Sequence, residues 1–219
     1  MFVFDLDGTL LDSIGDLAVA VNRLVAERGG APIHADAVAR MVGEGASLLL
    51  QRAFAAAGIP DDPDAALGRF LAIYDSVLPG TTVPYPGVPE MLQALTRVAP
   101  MAVLTNKPTG AAVKTLAMHG LDRFFIRIIG GDGPFPRKPH PDGLLGLAAE
   151  AGVSPQAIWM IGDSTVDLDT AHAASARACI VRYGFGFAAL DRSRLRGNEV
   201  FADRPADVAA LLLGREHGH

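Results

Sequence analysis

Two aspartates stand two residues apart in Asp5-Leu6-Asp7-Gly8-Thr9-Leu10, directly after a short apolar run. A second acidic group, Gly162-Asp163-Ser164-Thr165-Val166-Asp167, follows another such run. If the first run is a strand, alternation alone aims Asp5 and Asp7 the same way. An acidic turn after a strand is common, and Asp167 also suits a helix N-cap or first turn, where negative charge is favourable. Brought together, the four carboxylates repel one another unless a cation neutralises them, and hard oxygen ligands select Mg²⁺.

The basic residues are as unevenly placed as the acidic ones. Only three lysines occur against sixteen arginines, and two of the three fall in loops after or between apolar runs. These are Lys107, in Thr105-Asn106-Lys107-Pro108-Thr109, and Lys138, in Arg137-Lys138-Pro139-His140-Pro141-Asp142; Lys114 sits in a helical pattern. Lysine offers phosphate a compact point charge where arginine offers a planar fork. A solvated loop is the plain alternative for both. His34, His119, His140 and His172 have no metal-ligand spacing, and Trp159 and Phe124-Phe125 read as core. The single cysteine, Cys179, excludes an internal disulfide and reads as a buried structural thiol.

The elements that must hold these residues alternate. Apolar runs at Phe2-Leu6, Met101-Thr105, Ile126-Gly130, Ile158-Gly162 and Ala178-Arg182 read as strands, and Val88-Val98, Gly110-Gly120 and Asp142-Gly152 carry helical spacing. This predicts an α/β fold with a parallel sheet covered on both faces, which binds ligands at the carboxyl ends of its strands. The interval from Ile14 to Val83 breaks the rhythm. It holds helical patterns at Asp16-Arg28, Ala46-Ala57 and Asp64-Leu78, with a turn at Gly58-Ile59-Pro60-Asp61-Asp62-Pro63 and an exit through Pro79-Gly80 and Pro84-Tyr85-Pro86-Gly87. The expected organisation is a core of residues 1–13 and 84–219 and an all-helical cap of residues 14–83, inserted after the first strand.

Half of the 219 residues are apolar and a fifth are charged, enough to bury a core. A net charge of −5 gives no basic footprint for a nucleic-acid backbone. No apolar run approaches the roughly 20 residues that span a bilayer, and acid at Asp5 comes too early for a signal peptide. The chain is therefore expected in the cytoplasm, with no nucleic-acid or membrane partner, as a monomer or homodimer. Its tail beyond Gly214 is expected to fray.

Taken in order, Asp5-x-Asp7-x-Thr9, Thr105, Lys138 and Gly162-Asp163-x3-Asp167 resemble the four motifs of the haloacid dehalogenase superfamily, across residues 2 to about 183. Within it the chain is most similar to the phosphoglycolate phosphatases, through Asp5 to Ser13, Val42-Gly43-Glu44-Gly45, Thr105 to Thr109, Ile129-Gly130-Gly131-Asp132 and Lys138 to Asp142. The resemblance implies a Rossmann-like core and Mg²⁺-dependent hydrolysis of a small phosphomonoester, 2-phosphoglycolate foremost, to glycolate and phosphate. It implies Asp5 as the nucleophile that becomes an aspartyl phosphate, and Asp7 as general acid and base. Thr105, Asn106 and Lys138 would hold the phosphoryl oxygens, with Lys107 placed for the same anion. Mg²⁺ would sit on Asp5, the Asp7 backbone carbonyl and Asp163, with Asp167 direct or through water.

The cap should choose the substrate, and its candidate loop is Arg40-Met41-Val42-Gly43-Glu44-Gly45. There Gly43 permits close backbone approach, and Arg40 either meets a substrate carboxylate or is a solvated helix end. Two departures from the family fall outside the motifs. The turn after the last motif reads Ala174-Ser175-Ala176-Arg177 where relatives often carry glycine, and Gly130 to Pro136 is proline-rich. A dehalogenase typically lacks the second aspartate, and a phosphonate hydrolase needs a cap lysine where none precedes Lys107. A sugar-phosphate mutase shares the Asp5 and Asp7 chemistry and differs in how well its cap excludes water. A non-catalytic binding module would be expected to have lost Asp5 or Asp7.

Overall fold

The computed structural model describes residues 1–78 and 80–216. Expectations resting on Pro79 and on residues 217–219 lie outside them. Six parallel strands form one sheet in the order β5-β4-β1-β6-β7-β8: β1 (Phe2–Phe4), β4 (Met101–Leu104), β5 (Arg127–Ile129), β6 (Trp159–Gly162), β7 (Arg177–Val181) and β8 (Val200–Ala202). β1 lies between β4 and β6, with Phe2 opposite both Met101 and Trp159.

Continuous apolar runs suit strands covered on both faces, and alternation sorts their side chains. Phe2, Phe4, Met101, Val103, Trp159 and Ile161 enter one cluster. Val3, Ala102, Leu104, Met160 and Ile180 enter the other. The first is closed by α5 (Val88–Leu95), α6 (Thr109–Met118) and α9 (Pro205–Glu216), the second by α7 (Asp142–Ala151) and α8 (Thr165–Ala173). Cys179 is buried in β7 and Trp159 in β6, as core residues.

Four helices occupy the strand-free interval: α1 (Ile14–Glu27), α2 (Ala35–Ala39), α3 (Ala46–Ala57) and α4 (Pro63–Val77). They bury a cluster of their own, including Leu17, Val21, Leu50, Phe54 and Phe70. α3 ends on Gly58 in the left-handed region at φ 66°. α4 opens with Asp62 accepting from Asp64 N–H at 3.0 Å and Pro63 in the first turn. The short α2 escaped the sequence reading because five residues show too little periodicity.

Where the chain leaves for these helices and returns, it pairs with itself in an antiparallel ribbon of β2 (Leu11–Asp12) and β3 (Val83–Pro84). Val83, read as part of the strand-free interval, therefore belongs to a strand. Beside the ribbon, buried Asp16 accepts from Thr81 N–H at 2.7 Å, Thr82 N–H at 3.1 Å, Gly80 N–H at 3.3 Å and both threonine hydroxyls. Burial pushes its carboxyl up, but the bonds from Thr81 and Thr82 outweigh it and hold the pKa below 3.8. β8 and α9 were not foreseen either: the apolar run of β8 is three residues between acidic neighbours, shorter than the five-residue runs read as strands, and α9 runs past Gly214 to Glu216, where fraying was expected. No helix among the described residues is long and apolar enough to cross a membrane.

Candidate active site

With β4 and β6 flanking β1, the segments after these three strands adjoin at the carboxyl edge of the sheet. β1 ends at Phe4, so Asp5 and Asp7 lie beyond it and strand alternation no longer fixes them. Their carboxylates part company. Asp5 Oδ1 lies 2.9 Å from Lys138 Nζ, whereas Asp7 Oδ1 lies 2.8 Å from Lys107 Nζ.

Asp5, Asp163 and Asp167 are all buried and offer carboxylate oxygens within 4.8 Å of one another. Of the four expected carboxylates, Asp7 is outside this cluster. Burial lifts Asp5 to about 6, against the pull of Lys138 and with the push of Asp167. Asp163 is raised well above the ordinary range by burial, then by Asp167 and Asp5. A lone ammonium, Lys138, serves this crowd: Lys138 Nζ also donates to Asp167 Oδ1 at 2.5 Å. Three buried carboxylates crowded together, with no thiolate or imidazole among them, fit a hard divalent cation.

Asp167 lies in the first turn of α8, where Ser164 is the N-cap, and also in the acidic cluster. Its Oδ2 accepts from Ser164 N–H at 3.1 Å and Ser164 Oγ at 2.6 Å, closing the capping box of α8, while Oδ1 faces Lys138. Asp163 is fixed from behind by glycines. Gly186 N–H donates to its Oδ2 at 2.7 Å, and a Cβ added to Gly8, whose φ is 88°, would stand 2.1 Å from that oxygen. The loop after β7, which holds Gly184 and Gly186, thus supports the acidic cluster. Glycines two apart after a strand were its only sequence signal.

Thr105 and Asn106 follow β4, both buried. Asn106 Nδ2 donates to Gly43 O and to Lys138 O, each at 2.9 Å, tying the loop before α3 to the lysine loop. Gly43 and Gly45 hold that loop at φ 121° and 98°. Together with Asp5, Asp7, Thr105 and Lys107 they line a cavity of about 60 Å³ between sheet and helices, roofed by Leu49, Phe70 and Tyr74. Arg40 ends α2, is exposed, and does not line it. Tyr74 was missed. Its Oη accepts from Lys107 Nζ at 2.6 Å, and a tyrosine on the apolar face of an amphipathic helix was the available signal.

A sheet wound with helices on both faces and acidic at its carboxyl edge places this protein among the Rossmann-like α/β enzymes. More narrowly, the chain belongs to the haloacid dehalogenase-like hydrolase family, which matches residues 2–181. It is 44% identical over 192 residues to a phosphoglycolate phosphatase of Rhodospirillum rubrum, covering 84% of this chain and 79% of the relative. A phosphoglycolate phosphatase of Cereibacter sphaeroides is 38% identical, covering 96% of this chain and 98% of its own. Among solved structures, a predicted phosphoglycolate phosphatase from Haemophilus somnus superposes with a TM-score of 0.89 at 30% identity, covering 97% of each chain.

Proposed function

We propose that this protein is a Mg²⁺-dependent phosphatase that hydrolyses a small phosphomonoester, 2-phosphoglycolate foremost, through an aspartyl phosphate on Asp5. The carrying observation is the division of labour between two carboxylates in one cavity, Asp5 held by Lys138 and Asp7 by Lys107. The substrate is argued from the relatives, which act on phosphoglycolate by name, and from a cavity of about 60 Å³, well below the ~300 Å³ at which sites for drug-sized ligands begin.

In this reading an Asp5 oxygen attacks phosphorus in line, and the P–O bond to the alcohol breaks as Asp7 gives the leaving oxygen its proton. Asp7 then takes a proton from water, whose oxygen attacks phosphorus, releasing phosphate and regenerating Asp5. Thr105, the Asn106 backbone N–H and Lys138 hold the non-bridging oxygens, which is where most phosphoryl-transfer catalysis resides. Asp5, Asp163 and Asp167, with the Asp7 backbone carbonyl, would hold Mg²⁺. The ion supplies positive charge between the anionic nucleophile and the anionic phosphoryl group. The helices of residues 14–83 act as the cap and exclude water, and the substrate is a metabolite of the cytoplasm.

The test is phosphate release from a panel of phosphomonoesters, with Mg²⁺ and with chelator, and with Asp5→Asn as the blank. Release should need Mg²⁺, vanish in the variant, and favour 2-phosphoglycolate by tenfold or more in kcat/KM, about 1.4 kcal/mol of transition-state preference. Activity that survives both chelation and Asp5→Asn sinks the mechanism. Conversion of a hexose 1-phosphate to its 6-phosphate without free phosphate would make the protein a mutase instead.

A further inference from the structure

A substrate bearing a carboxylate beside its phosphate brings a second negative charge into a site that shuts out water, and that charge must be matched. Most of the cavity cannot do so. Leu17, Val42, Leu49, Phe70 and Leu71 offer an anion nothing. Among the described residues that line the cavity Lys107 is the one cation, and Lys138, set between Asp5 and Asp167, serves the phosphoryl oxygens in the proposed mechanism.

Lys107 has three N–H donors. One meets Asp7 Oδ1 at 2.8 Å and another meets Tyr74 Oη at 2.6 Å, which leaves the third. An ammonium accepts no hydrogen bond, so Tyr74 is the acceptor in this pair and its own O–H is directed elsewhere. Burial, against Lys107 and with Asp7, pushes that phenol up to about 12, so it remains a donor through the neutral range. Tyr74 is 3% exposed, its ring stacks on Phe70 at 6.0 Å between centroids, and Lys107 Nζ lies 4.8 Å from the centroid of the Tyr74 ring. The hydroxyl is therefore held still, and donation from an ammonium polarises it. In the proposed mechanism Asp7 meets the leaving group; Lys107 lies 2.8 Å from Asp7, and Tyr74 is one hydrogen bond further on at 2.6 Å.

We propose that the Tyr74 hydroxyl, backed by Lys107, is the reader of the leaving-group carboxylate, selecting phosphate esters of small 2-hydroxy acids. This rests on the phosphoglycolate reading and adds to it the residue on the helical side that makes the choice. It also moves Lys107 from holding phosphate to matching the second anion of the substrate.

The test compares 2-phosphoglycolate with ethyl phosphate, the same ester with a methyl group in place of the carboxylate, in wild type and Tyr74→Phe. The readout is the ratio of the two kcat/KM values. Loss of a hydrogen bond to a charged group predicts that this ratio falls about tenfold or more in the variant, whatever happens to each rate. An unchanged ratio, with both substrates losing the same factor, would mean that Tyr74 serves only the shared machinery and would overturn the proposal. If Tyr74→Phe does not fold, Lys107→Gln gives the same ratio, which must fall by a similar or larger factor. A wild type that hydrolyses both esters with Mg²⁺ but shows no preference overturns the proposal and the substrate assignment together, while the phosphatase reading survives. A wild type that hydrolyses neither sinks all three.

Discussion

Asp163 carries the electrostatic cost of the site. It is buried with Asp5 and Asp167, and its immediate support is an N–H from Gly186. A carboxyl whose folded pKa is raised binds its proton more tightly in the native state, so metal-free stability falls as pH rises through the interval between the unfolded and folded values. For Asp5 that interval runs from 3.8 to about 6, and for Asp163 it extends well above 3.8. Asp163→Asn should therefore raise the Tm of the chelated protein at neutral pH by roughly 2–4 °C, the effect of ~1 kcal/mol at this size. The gain should shrink in acid, and the stabilisation that Mg²⁺ gives wild type should disappear. Thermal melts with and without Mg²⁺ at two pH values decide it, and a variant that still gains from Mg²⁺ sinks it. These carboxylates were legible in sequence because each follows an apolar run that became a strand. Tyr74 was not, because its ring packs as a core residue does and only its oxygen distinguishes it.

α8 shows how an element can be sound at one end and strained at the other. Its N-terminus is closed by the Ser164 and Asp167 capping box. Its C-terminus ends in a Schellman turn, with Ala176 N–H bonded to Ala171 O at 2.8 Å and Ser175 N–H to His172 O at 3.2 Å. That turn requires a left-handed residue, and Ser175 fills it at φ 58°, the one non-glycine at positive φ among the described residues. The missing glycine noted in the sequence thus falls on the position where glycine is favoured. Ser175→Gly should stabilise the fold by about 1 kcal/mol, the cost of left-handed backbone for a residue with a Cβ. An unchanged or lower Tm in a melt would show that the Ser175 side chain compensates for its backbone. Helices such as α3, α4 and α7 were legible from periodicity and their turn glycines, whereas α2, β8 and the β2–β3 ribbon, two to five residues each, were too short to leave a pattern.

At the scale of the whole molecule, two apolar bodies are joined by few devices. The helices bury their own cluster, the sheet buries one on each face, and the chain crosses between them twice. Side chains bridge the gap at Tyr74 with Lys107, at Asp75 with Lys114, and at Gly43 with Asn106. The helical interval was legible from the change of rhythm near Ile14. The clasp between the crossings was not, because Asp16 reads as an ordinary first-turn acid and its partners lie more than sixty residues away. Asp16→Ala leaves the N–H groups of exposed Thr81 and buried Thr82 without their acceptor, at about 1–3 kcal/mol for the buried group left unsatisfied. Because the folded pKa of Asp16 lies below 3.8, this contribution is complete above that value and is lost as pH falls below it, so wild type and variant should converge in acid. If the clasp governs how the helices sit on the sheet, the variant should speed amide exchange in α1 and α4 well beyond any change in β1 and β6. Hydrogen exchange followed by mass spectrometry separates the cases: uniform acceleration in both bodies would mean that they open as one cooperative unit, and that Asp16 stabilises the whole rather than the hinge.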